Sequence, residues 1–179
     1  SMTDKDRYEL KIAGLLHDCG KVTTPVHVVD KATKLQTLFD RIHLVDTRFE
    51  VLKRDAQLAM LKAKLALRDS HDDQRKSPWD ARAEAALDED LARHLHQIES
   101  DREFLRQSNV GSELMTPEDQ ERVKRIGTGY RWIGVDGKSA NFLSDDELEN
   151  LNIRAGTLTQ KERETINYHI VATIKMLEQ

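Results

Sequence analysis

The chain has 179 residues, a formal net charge of −4, 34% charged and 5% aromatic side chains, three prolines, eight glycines and one cysteine. Its length suits one domain with a real core. The acidic balance gives no support to a nucleic-acid backbone binder, no apolar run is long enough to span a membrane, and a single Cys19 excludes an intrachain disulfide. Few breakers and few aromatics point to long, well-solvated helices and an all-α fold.

Ser1 ahead of Met2 looks like a cleavage scar, so the native amino terminus is expected to be missing. Thr3 with Asp6 makes a capping-box start for a first helix that should end near Cys19, with Gly20 as its cap. Leu10, Ile12, Ala13 and Leu16 keep helical spacing and place His17 beside a buried face. Residues 23–30, with Pro25 and three β-branched valines, predict an ordered loop or extended segment.

From Lys34 to about Arg68 there is neither glycine nor proline, and Leu35, Leu38, Ile42, Val45, Phe49, Leu52, Ala56, Ala59, Ala63 and Ala66 alternate spacings of three and four. That heptad predicts a long helix with a coiled-coil seam. A polar turn over residues 69–77 and Pro78 then lead to a second helix reaching about Gln107, with Leu91, Leu95, Ile98 and Leu105 on one stripe. An antiparallel hairpin within the chain is the economical reading, and pairing with another molecule is the alternative.

Thr116 to Asp119 caps a short helix to about Ile126, and Asp136-Gly137 centres a small hairpin between residues 131 and 142. Ser144 to Glu147 caps another short helix. Thr159 to Glu162 opens the last, whose Ile166, Ile170, Ile174 and Leu177 still face inward at the final residue. An apolar stripe without its covering predicts self-association.

The chemistry concentrates in His17 and Asp18, adjacent on a helix, where a nitrogen and a carboxylate can reach one metal ion. Lys21 is a candidate cation for a phosphate, and Cys19 a buried thiol. His94 and His96 point to different faces, and His27, His43 and His71 lack partners at ligand spacing.

The run Leu15-Leu16-His17-Asp18-Cys19-Gly20-Lys21 resembles the core motif of the HD superfamily of metal-dependent phosphohydrolases, and more narrowly the HD-GYP branch, whose members hydrolyse cyclic dinucleotides such as cyclic di-GMP. Gly156 to Arg163, Asn167-Tyr168-His169-Ile170 and Thr173 to Leu177 resemble the segment of that branch bearing the next metal histidine. His169 would therefore join His17 and Asp18 as a ligand. Lys31-Ala32-Thr33-Lys34-Leu35 departs from the family's Lys-Pro-Gly-Lys-Leu loop at Ala32 and Thr33. Gly127-Thr128-Gly129-Tyr130 lacks the His-His-Glu that precedes Gly-Tyr-Pro in the branch, and reads as a turn.

The resemblance implies a partial HD domain over residues 3–35 and 144–179, with an inserted helical arm over 36–143. It implies a divalent metal, iron or manganese first, with zinc, magnesium and nickel as alternatives. Asp18 and Lys21 would serve catalysis, with a cyclic dinucleotide or another phosphoester as substrate. The branch's remaining ligands are not found in the sequence, so the chain is expected to be an amino-terminal fragment, inactive alone. It is expected to be cytoplasmic, with a sensor domain outside this chain as the place for any membrane anchor of its parent. A non-catalytic dimerisation module built on the heptad, testable at Phe49 and Leu52, and a mononucleotide hydrolase are the alternatives.

Overall fold

The computed structural model describes residues 2–69 and 78–178, and the expected turn over 69–77 with His71 lies almost wholly outside them. It is all-α apart from one small hairpin. Helix α1 spans Asp4–Leu16, a 3-10 turn Cys19–Thr23 carries the motif, and α2 covers Val26–Val29. Helices α3 (Ile42–Asp69) and α4 (Pro78–Val110) form the arm, followed by α5 (Pro117–Gly129), β1 (Arg131–Ile133), β2 (Ser139–Asn141), α6 (Asp145–Leu151) and α7 (Gln160–Leu177).

Local chemistry explains the helix starts. Thr3, Thr116, Ser144 and Thr159 each accept the backbone N–H three residues on, and Asp6, Asp119, Glu147 and Glu162 reach back to the cap. β1 and β2 pair antiparallel with Trp132 opposite Ala140, and Gly137 takes φ +75° in the turn between them.

The arm is an antiparallel hairpin within the chain. Asp46 pairs with Arg106 and Arg102, Glu50 with Arg102, Lys53 with Glu99, Lys64 with Asp88 and Arg68 with Glu84, so partner numbers fall as α3 advances. Its base holds the core. Val45, Phe49, Leu52, Ile98, Leu105, Val123, Ile126, Phe142, Leu143 and Leu151 are buried together. Phe49 stacks on Phe142 at 4.4 Å between ring centroids and meets the edge of Tyr130 at 6.3 Å. Phe49 and Leu52 are thus committed to the chain's own core, and the intermolecular reading of that heptad stripe is withdrawn.

Several boundaries move. The long helix begins at Ile42, not Lys34, because residues 31–41 turn around two inward-pointing lysines; Leu38 of the expected stripe is 91% exposed. The valines after Pro25 form a helical turn, not an extended segment. Gly127 to Gly129 continue α5 rather than turning, and a Cβ on Gly127 would lie 2.6 Å from Leu148 Cδ2. Helix α1 stops at Leu16 and buries none of its residues. Gly20 is not a left-handed cap, and Cys19 is only half-buried. Ile170, Ile174 and Leu177 do not face a packed interior: each is half-exposed, as are Tyr8, Leu10 and Leu15 on α1.

Candidate metal centre

Why the motif sits where it does follows from one close approach. The 3-10 turn lies against α7 at Gly20, where a Cβ would fall 2.1 Å from the His169 carbonyl oxygen and 2.6 Å from Thr173 N. Only glycine permits that contact. The Gly20 N–H donates to Thr173 Oγ1 at 2.9 Å, and the same buried hydroxyl donates to the His17 carbonyl at 3.4 Å. Thr173 thereby ties both ends of the motif to the helix that carries His169, one turn earlier.

This brings the three expected ligands together. His17 Nε2 is 3.1 Å from Asp18 Oδ2, and His169 Nε2 is 3.5 Å from Asp18 Oδ1. Each imidazole turns its Nδ1 to a carbonyl of its own helix, His17 to Gly14 at 2.7 Å and His169 to Ile166. A carbonyl only accepts, so Nδ1 carries the proton and, in the neutral ring, Nε2 presents its lone pair. The two Nε2 atoms then face the two oxygens of one carboxylate, an arrangement that protonated imidazoles satisfy and that, with both rings neutral, a cation between them would stabilise.

Lys21 already supplies one positive charge. Its ammonium donates to Asp18 Oδ2 at 2.6 Å and holds the Asp18 carboxyl below the usual carboxylate range, with smaller help from His17 and His169. Lys21 is therefore engaged with the carboxylate rather than free for a phosphate. His169 is largely buried, His17 is exposed, and an apolar groove lined by Tyr8, Ile12, Ala13, Leu16 and Leu177 runs up to His17.

Two imidazole nitrogens and a carboxylate fit one divalent ion in donor chemistry. As placed, however, the three do not form a metal-holding group: among the described residues no three histidine, cysteine or carboxylate side chains are gathered closely enough to hold an ion. His94 and His96 are exposed on the arm and take no part.

The lysines of the 31–35 loop are structural, which the sequence did not suggest. Lys31 donates to Glu162 at 2.8 and 2.9 Å and to Asn150 at 2.9 Å. Burial opposes the Glu162 charge, but the Lys31 and Thr159 hydrogen bonds outweigh it and keep that carboxyl low. Lys34 is fully buried and donates to the Leu151 and Ile153 carbonyls at 3.2 and 2.7 Å, closing the end of α6.

An all-helical chain with a His-Asp turn held against a second histidine defines an HD-type fold. The HD domain family model matches residues 2–93, half of the chain, and the chain belongs to that family. HD domains are in general metal-dependent phosphohydrolases that bind divalent ions. The match includes His17 and Asp18, while His169 lies beyond it. Neither the curated proteins nor the solved structures contain a match to this chain.

Proposed function

We propose that this chain contributes the His17–Asp18–His169 centre of a metal-dependent phosphodiesterase acting on a cyclic dinucleotide of the cyclic di-GMP kind, in bacterial second-messenger signalling. The observation that carries the reading is the approach of His17 Nε2 and His169 Nε2 to the two oxygens of Asp18, each ring oriented by a backbone carbonyl. Iron or manganese suits these ligands. Such an ion supplies Lewis acidity toward water and a phosphoryl oxygen.

The chain's own residues have separate tasks. Asp18 and the two histidines hold the ion. Lys21, once Asp18 serves as a ligand, has its ammonium free to meet phosphate charge from the 3-10 turn. Thr173 and Gly20 keep the turn and α7 in register. A second ion needs ligands beyond these three, so the chain is expected to be inactive alone, with the arm an insertion between residues 3–35 and 144–179.

The test is hydrolysis by the full-length protein of a panel containing cyclic di-GMP, a linear dinucleotide and nucleoside monophosphates, with manganese. Cleavage of the cyclic dinucleotide, abolished by Asp18→Ala, supports the reading. Cleavage of monophosphates alone replaces it with the nucleotidase alternative.

A further inference from the structure

Helix α3 carries a second apolar stripe that the hairpin does not use. Leu44, Val51, Leu58 and Leu65 recur every seven residues, joined by Leu61. At 100° per residue they lie on the face turned away from Val45, Phe49, Leu52 and Ala56. The four leucines are 45–58% exposed, while Val51 is half-buried. Over 21 residue steps the stripe is roughly 32 Å long. Isolated exposed leucines are unremarkable, but a seven-residue repeat on a breaker-free helix marks one row of a packing seam, here apolar at one heptad position, with Leu61 in the second row beside Thr47, Arg54 and Arg68.

The charges beside the stripe say what fits it. Asp46, Glu50, Lys53, Lys64 and Arg68 all bridge to α4. Asp55 and Lys62 are exposed and, among the described residues, join no ion pair or hydrogen bond. Seven apart, they share one flank of the stripe, on either side of Leu58.

We propose that this face pairs with the same face of a second copy, the two α3 helices antiparallel about a twofold axis near Leu58. In that arrangement Leu58 meets its own counterpart and Val51 meets the second copy's Leu65. A twofold axis brings like flanks together, so Asp55 of each copy meets Lys62 of the other, twice. A parallel pairing instead places Asp55 beside the second copy's Glu50, a like-charge contact. The charges thus favour antiparallel over parallel pairing, since a parallel pair would also set the exposed Arg54 of each copy against the other's. This goes beyond the metal reading and touches none of its residues.

The experiment is sedimentation equilibrium of the full chain from low to high micromolar concentration, with folding followed by circular dichroism. The wild type is expected to dimerise and Leu58→Lys to be monomeric and folded. Asp55→Lys should weaken the dimer by about tenfold through two Lys–Lys contacts, and Asp55→Lys with Lys62→Asp should restore it. Ile174→Lys, on the separate α7 face, should leave the dimer in place. A wild type monomeric throughout, a dimer indifferent to Leu58→Lys, failure of the double charge reversal to restore it, or a dimer lost with Ile174→Lys instead would each overturn the proposal.

Discussion

Thr173 shows how a single hydroxyl can decide a metal site it does not touch. It accepts from Gly20 and donates to the His17 carbonyl, one turn beyond His169 on α7. Thr173→Val keeps the shape and removes both bonds. Manganese affinity measured by calorimetry should fall about 10- to 100-fold, as for other outer supports of metal ligands, and Thr173→Ser should recover most of it. An unchanged affinity for Thr173→Val would mean that the turn is held by packing alone. Thr173 entered the sequence reading only as part of the resembling segment, and its tie to the motif was not legible because its two partners lie more than 150 positions away. His17 and Asp18 were legible as an adjacent pair, whereas His169 was readable only through the resemblance.

Lys34 gives a prediction with a definite sign. Burial lowers its ammonium pKa to about 8 from the ordinary 10.5, with Asp119 opposing. Between those values the unfolded chain binds a proton that the folded chain has released, so stability rises with pH. Below about 8 both states are protonated and the slope from this residue vanishes. Urea unfolding at a series of pH values from 8 to 9.5 should show that rise in the wild type and not in Lys34→Met. Tyr130, whose hydroxyl is pushed up by burial and by its bond to Asp101, acts in the opposite direction only at higher pH. Equal slopes in the two proteins would show that Lys34 is solvated when folded.

At the scale of elements, what was readable was what is local. The four capping boxes lie within three residues of each helix start, and all four form. The Asp136-Gly137 turn and the α3–α4 heptad likewise depend on near neighbours or on a long periodic run. The start of α3 was misplaced because nothing in Lys34 to Arg41 forbids a helix. The chain turns there to bring Lys34 to the end of α6, and its partners are 117 and 119 residues away. The arm's energetics are asymmetric in the same way. Phe49 sits in the base core with Phe142 and Tyr130, so Phe49→Ala should cost about 3–5 kcal/mol in urea unfolding. Removing the exposed Arg68–Glu84 pair near the tip should cost under about 1 kcal/mol. Comparable losses at both positions would contradict a core confined to the arm's base.

At the scale of the whole molecule, the arm's base and the motif are separate structures joined by the two lysines. Residues around Phe49 make the core, while the His-Asp turn rests on α7 and leaves the apolar faces of α1 and α7 half-exposed. Composition foretold the helical class. It could not show which apolar faces stay open, since that depends on how the elements pack. The family match agrees with the motif and extends well into the arm. The proposed centre has His17, Asp18 and His169 share one divalent ion. Metal content by mass spectrometry, on protein purified without chelator, tests it most directly, with wild type beside Asp18→Ala. Close to one equivalent of iron, manganese or zinc is expected in the wild type, and its loss in Asp18→Ala. No bound metal in the wild type, or metal retained by Asp18→Ala, would contradict it.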